Sequence, residues 1–253
     1  VLVNQTVTLI QEVDETPSSL YMVETREGRR VQAQSLVVAT ESPVAQRMIS
    51  QLRGFETLEG LPFLPQRNVG GVYYSFPGPP PVPNPLLVLN GCGSKQRNTK
   101  YFPINLVCFP ATVQPSYAPR GYSLCSVSIL SSAMEAYVDD DEGLDLAVRK
   151  HLIDWFCFND NLSEESVMKE WKLEGIYRIP NAQPAQIGRS IAANVNGGRP
   201  CNKFRGKDLP SKVFVCGDHM ATATLNGALE SGVQAGEAAA RAVKVAEGSV
   251  QAG

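Results

Sequence analysis

The stretch with most chemical promise is VFVCGDHMATATLNGALESGVQAGEAAARAV, residues 213–243. An apolar run ends on Gly217 and Asp218, and a helix crowded with small residues follows. Gly217 admits close approach or an unusual backbone angle, and Asp218 can accept hydrogen bonds from the hydroxyl groups of a ribose or ribitol. Thr224 is suited to cap the helix. Gly227, Ser231 and Ala235, with Ala228, Gly232 and Gly236, recur every four residues and form two small columns that let the helix lie close to a flat partner. In open α/β folds, ligands sit at the carboxyl ends of strands, where N–H groups of a following helix meet electron-rich atoms. The pattern therefore points to a ligand with a sugar-like chain.

Other chemistries lack their parts. With only two histidines, His151 and His219, a histidine-rich metal site is excluded. His151 reads as a helix-face residue, and His219, beside Asp218, either fills the loop or touches the ligand. Ser231 has leucine where a nucleophile elbow needs its first glycine, and it lies within the helix. GGRPCNKFRGK is no phosphate loop, because Cys201 lacks the required glycine and Asp208 replaces the serine or threonine. Asp139, Asp140, Asp141 and Glu142 read as solvated charge at a helix start, where the helix dipole favours acids. The nearest approach to G-x-G-x-x-G is Gly91, Cys92 and Gly93, but Gln96 replaces the third glycine, so both glycines read as hairpin-loop residues.

The elements that must position the turn follow from the rest of the chain. At 253 residues, 43% hydrophobic and 19% charged, the chain can bury a real core. Twenty-three basic residues against 25 acidic leave a net charge of −2 with no basic stripe, which argues against nucleic acid as a partner. No apolar run reaches the roughly 18 residues of a membrane span, so no transmembrane segment is expected. Six scattered cysteines, Cys92, Cys108, Cys125, Cys157, Cys201 and Cys216, form no C-x-x-C pair and fit an intracellular, reducing compartment. Asn4 and Asn161 head chance-level glycosylation sequons. The opening VLVNQTVTLIQEV alternates like a strand, which suggests the latter part of something longer.

Residues 1–39 read as a meander of three strands, QTVTLIQEV, LYMVETREG and RRVQAQSLVVAT, with a turn at 16–19. Ser42 as cap and Pro43 then open a helix to about Leu52. GVYYSF, LLVLNG, INLVCFPATV and YSLCSVSIL are four strand candidates suggesting the floor of a cavity, and an amphipathic helix follows the acidic run. EWKLEGIYRIPNAQP reads as a strand entering a turn, with a polar loop to about Pro210. A short buried strand at 212–216 and a helix from Leu225 to about Val245 close the chain.

Taken together, the strand, the Gly217 and Asp218 turn and the small-faced helix resemble the closing segment of the FAD-dependent amine oxidase superfamily, which includes monoamine and polyamine oxidases, phytoene desaturases and protoporphyrinogen oxidases. LVVATESPVA resembles the segment by which these proteins return to the FAD domain, and YRIPNAQP resembles the aromatic-to-Ala-Pro stretch before the final cofactor motif. The resemblance implies an α/β (mixed α+β) fold, a partial FAD/NAD(P)-binding domain interrupted by a mixed-sheet substrate domain, with residues 1–45 and 211–253 in the first and 46–210 in the second. It implies FAD as cofactor, with Gly217 and Asp218 at its ribityl or pyrophosphate region. The backbone of Leu225, Asn226, Gly227 and Ala228 would face the pyrimidine edge, where the helix end favours negative charge. The implied activity is an FAD-dependent oxidoreductase of amine oxidase or carotenoid desaturase type, taking a hydride equivalent from a small hydrophobic or amine substrate. No catalytic residue is identified. Tyr73, Tyr74, Tyr101, Phe102 and Tyr177 are candidates to line the cavity, although core packing is the simpler role for most.

One departure from the family pattern matters. Its N-terminal strand, G-x-G-x-x-G turn and ribose-binding acid are not in this sequence. The resemblance therefore implies an N-terminal FAD-binding half or complementary chain as partner, and weak or absent FAD binding by this chain alone. The alternative is a non-catalytic structural or interaction subunit that keeps a truncated flavoprotein scaffold. The desaturase resemblance also admits a plastid setting.

Overall fold

The computed structural model of the chain describes residues 1–13, 20–91, 100–157, 162–185 and 200–250, without the side chains of 245–250. Cys92, Gly93, Gln96, Asn161 and the 16–19 turn lie outside the described residues. The chain has the mixed α/β character expected and divides into two compact units, Val1–Gln66 with Gln183–Gly253, and Arg67–Ala182.

In the first unit, β1 (Val7–Val13), β2 (Leu20–Thr25) and β3 (Arg30–Ala33) form an antiparallel meander. The run RRVQAQSLVVAT, expected as one strand, is broken. β3 ends at Ala33, and β4 (Leu36–Val38) leaves the meander to pair in parallel with β12 (Val213–Val215). The break follows from composition. Arg30, Val31 and Gln32 are all exposed, whereas Leu36, Val37 and Val38 form the unbroken apolar run of a parallel strand. Helix α1 (Ser42–Ile49) begins one residue earlier than expected: Glu41 holds the cap position without a side-chain bond, Ser42 is already helical, and Pro43 fits the first turn. Turns carry the chain from there to Leu52.

Leu52, Phe55 and Leu58 share one core with Ile10, Tyr21, Val38, Phe204, Leu209, Val213 and Val215. This shared core groups Leu52, Phe55 and Leu58 with the first compact unit. A short hairpin, β10 (Lys203–Phe204) and β11 (Lys207–Asp208), turns on Arg205 and Gly206, whose φ values of 50° and 84° suit a tight two-residue turn. The Arg205 guanidinium donates to Gln46 Oε1 at 2.7 Å and Pro62 O at 2.8 Å, while the buried Gln46 amide donates to Leu58 O and Leu61 O. No buried polar atom of Gln46 is wasted.

The second unit is a five-stranded sheet in the order β6-β7-β8-β5-β9. Its strands are β5 (Gln66–Pro77), β6 (Val88–Leu89), β7 (Ile104–Cys108), β8 (Tyr122–Ile129) and β9 (Lys172–Pro184). LLVLNG yields only the two residues of β6, and INLVCFPATV turns into a 3-10 helix at Pro110 because a proline cannot donate to the ladder. On β5 and β8, Val72, Tyr74, Phe76, Cys125, Val127 and Ile129 alternate inward and pack with α2 (Ser131–Ala136), α3 (Asp141–Phe156) and α4 (Glu164–Lys169) through Met134, Leu144, Val148, Leu152, Phe156 and Val167.

The acidic run does begin a helix: Asp140 accepts from Gly143 N–H at 2.8 Å, and Asp141 pairs with Arg178. Inside the same unit, Tyr74 donates to Asp145 at 2.6 Å, Asp145 pairs with Arg149, and Arg149 lies over the Tyr74 ring and donates to Val167 O. His151, read as a helix-face residue, is a core residue: it is buried and its Nδ1 accepts from Ile104 N–H at 3.3 Å. Among the described residues, no helix is long and apolar enough to cross a membrane, and no cluster of His, Cys, Asp and Glu could hold a metal.

Candidate functional site

The parallel pair of β4 and β12 ends at the turn singled out by sequence. Gly217 has φ 141° and ψ 171°, a region essentially reserved for glycine. A Cβ there would stand 2.7 Å from Cε1 and Nδ1 of the buried His219 ring, which in turn meets Phe204 edge-on. From the other side, Ser231 Oγ accepts the Gly217 N–H at 2.8 Å and lies within 2.9 Å of Gly217 O and 3.2 Å of Ala228 O. A hydroxyl in the second turn of the helix thus brackets the Gly217 peptide. Asp218 follows at the start of a 3-10 turn (Asp218–Met220), half-buried, and burial pushes its carboxyl above the usual carboxylate range against the pull of backbone N–H groups at His219 and Asp218.

Helix α5 (Leu225–Val250) starts at the capping residue expected. Thr224 Oγ1 accepts Gly227 N–H at 3.1 Å, and Thr224 O accepts Ala228 N–H at 3.0 Å. This divides the four residues expected to face a ligand. The N–H groups of Gly227 and Ala228 are committed to Thr224, while those of Leu225 and Asn226 precede the first intrahelical bond and point out of the helix start. Gly227 has a packing duty as well: a Cβ would collide with the Thr222 carbonyl and hydroxyl.

The two small columns part company. Gly227, Ser231 and Ala235 are buried, Ala235 packing with Phe214 and Cys216, whereas Ala228 and Gly232 are half-buried and Gly236 is exposed. Sequence reading missed the Ser231 bracket and the Thr222 contact. The only signal for the first was a hydroxyl inside a column of otherwise alkyl or hydrogen side chains.

In the second unit, Tyr74 and its bond to Asp145 belong to the core, and Phe102 packs edge-on to His151. Tyr73 and Tyr177 instead stand exposed on the opposite face of the sheet as a T-shaped pair, ring centres 5.6 Å apart. Tyr101 is exposed. Cys125 and Cys216 are buried, and burial raises both thiols above their ordinary range, as expected of small hydrophobes.

A strand end, a glycine-only turn, a half-buried carboxylate and the capped start of a long helix thus lie together at the carboxyl end of the parallel pair. Solved structures agree on the fold. An oxidoreductase from Methanosarcina mazei superposes with a TM-score of 0.57 at 16% identity, over 92% of this chain and 49% of that one. A putrescine oxidase redesigned in its cofactor binding gives 0.57 at 10% identity over 94% and 49%, and reduced UDP-galactopyranose mutase gives 0.53 at 11% over 88% and 44%. The chain thus spans about half the length of the solved structures it matches. No curated protein matches the sequence. The profile of the flavin-containing amine oxidoreductases matches residues 1–244, and the chain belongs to that family.

Proposed function

We propose that this chain is the substrate-binding and cofactor-closing part of an FAD-dependent oxidoreductase that takes a hydride equivalent from a small hydrophobic or amine substrate. The observation that carries the reading is the Gly217 and Asp218 turn set against the start of α5, in a chain of the flavin-containing amine oxidoreductase family. The residues fit one end of a flavin nucleotide. Asp218 offers an acceptor for ribityl hydroxyls, and Leu225 and Asn226 offer N–H donors backed by the positive end of a long helix. Gly217 leaves the approach free of a side chain, and Ser231 holds its peptide in place. Gly227 acts through shape, by letting the helix start lie against Thr222.

Bound flavin supplies the electron-accepting chemistry. The outward N–H groups of α5 favour negative charge at the ring edge they face, and they are held there without cost at the moment of reaction. Tyr73 and Tyr177 present an exposed aromatic surface suited to an apolar or cationic group. No residue of this chain is assigned as a catalytic base.

The phosphate-binding glycine loop is not in the 253 residues, so the reading includes an N-terminal FAD-binding half or complementary chain as partner. The alternative reading is a non-catalytic subunit on a flavoprotein scaffold. The deciding experiment is the visible spectrum of the native polypeptide after incubation with FAD. Bound-flavin bands, with affinity lowered about 10–100-fold by Asp218→Ala, are the expected result, from the worth of a hydrogen bond to a charged group. No bound flavin in the native polypeptide would leave the scaffold reading.

A further inference from the structure

One end of the five-stranded sheet presents a surface that the candidate site does not use. β5 finishes there at Pro77, opposite Tyr122 where β8 begins, and β6 opens after Leu87 beside the end of β7 at Cys108. Residues 77–90 and 109–123 close this end. Leu86, Leu87, Val113, Tyr117 and Tyr122 stand exposed on them, between 51% and 70%. So many large apolar side chains left in water at one end of a sheet mark a surface that meets something.

Composition indicates what it meets. Neither run holds an aspartate or glutamate, and Arg120 is their one charge, in a chain with 25 acids. Nine of the 18 prolines fall in the same two runs. A proline has no backbone N–H, so each spares an irregular loop one donor that would have to lose its water in an apolar medium. Other donors are already used. The N–H groups of Gly78, Leu86, Thr112, Val113, Tyr117 and Tyr122 bond to carbonyls of Gly121, Asn84, Phe109, Pro110, Gln114 and Pro119. The hydroxyls of Thr112 and Ser123 donate to Phe109 O and Gly78 O. Between the loops runs a groove of about 570 Å³, lined by Pro79, Pro83, Ala111, Pro115 and Tyr122, with Arg120 beside it. A module that grips polyproline helices fits less well, because the chain bends at 81–82 and again at 84–85.

We propose that this end of the sheet docks on the surface of a phospholipid bilayer. Leu86, Leu87 and Val113 enter below the headgroups, Tyr117 and Tyr122 sit at their level with hydroxyls toward water, and Arg120 reaches a lipid phosphate with no carboxylate of either run to compete for it. The attachment is to one face of the bilayer, through loops whose backbone donors are few and largely bonded. It requires neither flavin nor a substrate, so it stands or falls apart from the oxidoreductase reading.

The test is flotation of the native polypeptide, without added flavin, on phosphatidylcholine vesicles. Binding is expected, and adding phosphatidylglycerol should strengthen it by no more than about 5-fold, the worth of a single basic residue. Replacing both leucines, Leu86→Ser with Leu87→Ser, should weaken binding at least about 10-fold. Because both side chains are exposed, the Tm should move by less than about 2 °C. Val138→Ser is the control: Val138 is exposed beside Tyr137, which bonds Lys100 O near the start of β7 at the other end of the sheet, and binding should not change. Absence of vesicle binding, or equal binding by the leucine variant, would overturn the proposal. So would binding only to anionic vesicles and only at low salt, which belongs to a charged surface elsewhere. A native polypeptide that sediments as a dimer, ignores vesicles and becomes monomeric in the leucine variant would instead assign this end to a second copy of the chain.

Discussion

Gly217→Ala is the sharpest test of the turn. At φ 141° and ψ 171° an alanine occupies a region that costs non-glycine residues about 1–3 kcal/mol. The new Cβ also stands 2.7 Å from two atoms of the His219 ring, and that ring, 4% exposed and held between the turn and Phe204, cannot swing into solvent. Overpacking of this kind adds about 1–3 kcal/mol. The sum, about 4 kcal/mol in the middle of the range, is a large share of the roughly 5–15 kcal/mol that holds a domain together. It corresponds to a Tm lowered by about 8–16 °C in a domain of this size. Thermal unfolding followed by circular dichroism measures it, with His219→Ala and the double variant completing a cycle. Removing the ring relieves the collision but not the backbone strain, so the two substitutions should couple by about 1 kcal/mol or more. A Tm lowered by less than about 3 °C would refute the strain argument, and coupling near zero would refute the role given to His219.

The glycines of α5 should separate by position: Gly227→Ala, with the Thr222 carbonyl in the way, is expected to destabilise by about 1–3 kcal/mol, whereas Gly236→Ala, facing open space, should stabilise by about 0.5–1 kcal/mol through helix propensity, both read by urea unfolding. Asp218→Asn should raise the stability of the flavin-free protein at pH 7. Burial raises the Asp218 pKa in the folded state, so its charge opposes folding once pH has risen through that value, and unfolding curves at pH 4 and pH 7 should converge in the variant. His151, pushed down to about 4 by burial with Asp154 opposing, stays neutral in the fold while the unfolded chain binds a proton from about pH 6.5 downward. Stability should therefore fall between about pH 6.5 and 4 by at most about 3 kcal/mol, and His151→Gln, which keeps an acceptor for Ile104 N–H, should flatten that fall; identical slopes would exclude His151 as its source.

What could be read from sequence divides by the physics of each segment. Periodicity made β5, β8 and α3 plain, because alternation along Val72, Tyr74 and Phe76 and the acidic start of α3 each report a one-sided element. Short elements escaped. The hairpin of β10 and β11 has two residues per strand and no period to detect, and only Arg205 and Gly206 at its turn carried a signal. The helix α2, six residues long, is likewise below the length at which a face becomes visible. The break between β3 and β4 was hidden for a different reason: both halves are strands, and the change of partner is decided by Lys212 and Val213, about 180 residues away.

The candidate site shows the same division. Gly217, Asp218 and Thr224 stood out because each residue type has few reasons to sit where it does. Gly227 shared that signal for another reason, since a small residue at a helix start serves equally for a ligand and for the Thr222 loop, and only coordinates tell the two apart. The consequence reaches the proposed chemistry. If the outward donors are Leu225 and Asn226 alone, any side chain at these positions is tolerated so long as the N–H survives, whereas proline at position 225, the first helical residue, removes a donor without disturbing a helix start. The helix start, not the identity of its first side chains, is then what a cofactor reads. That is also why residues 225–228 could be assigned as a group from sequence but apportioned only by their hydrogen bonds.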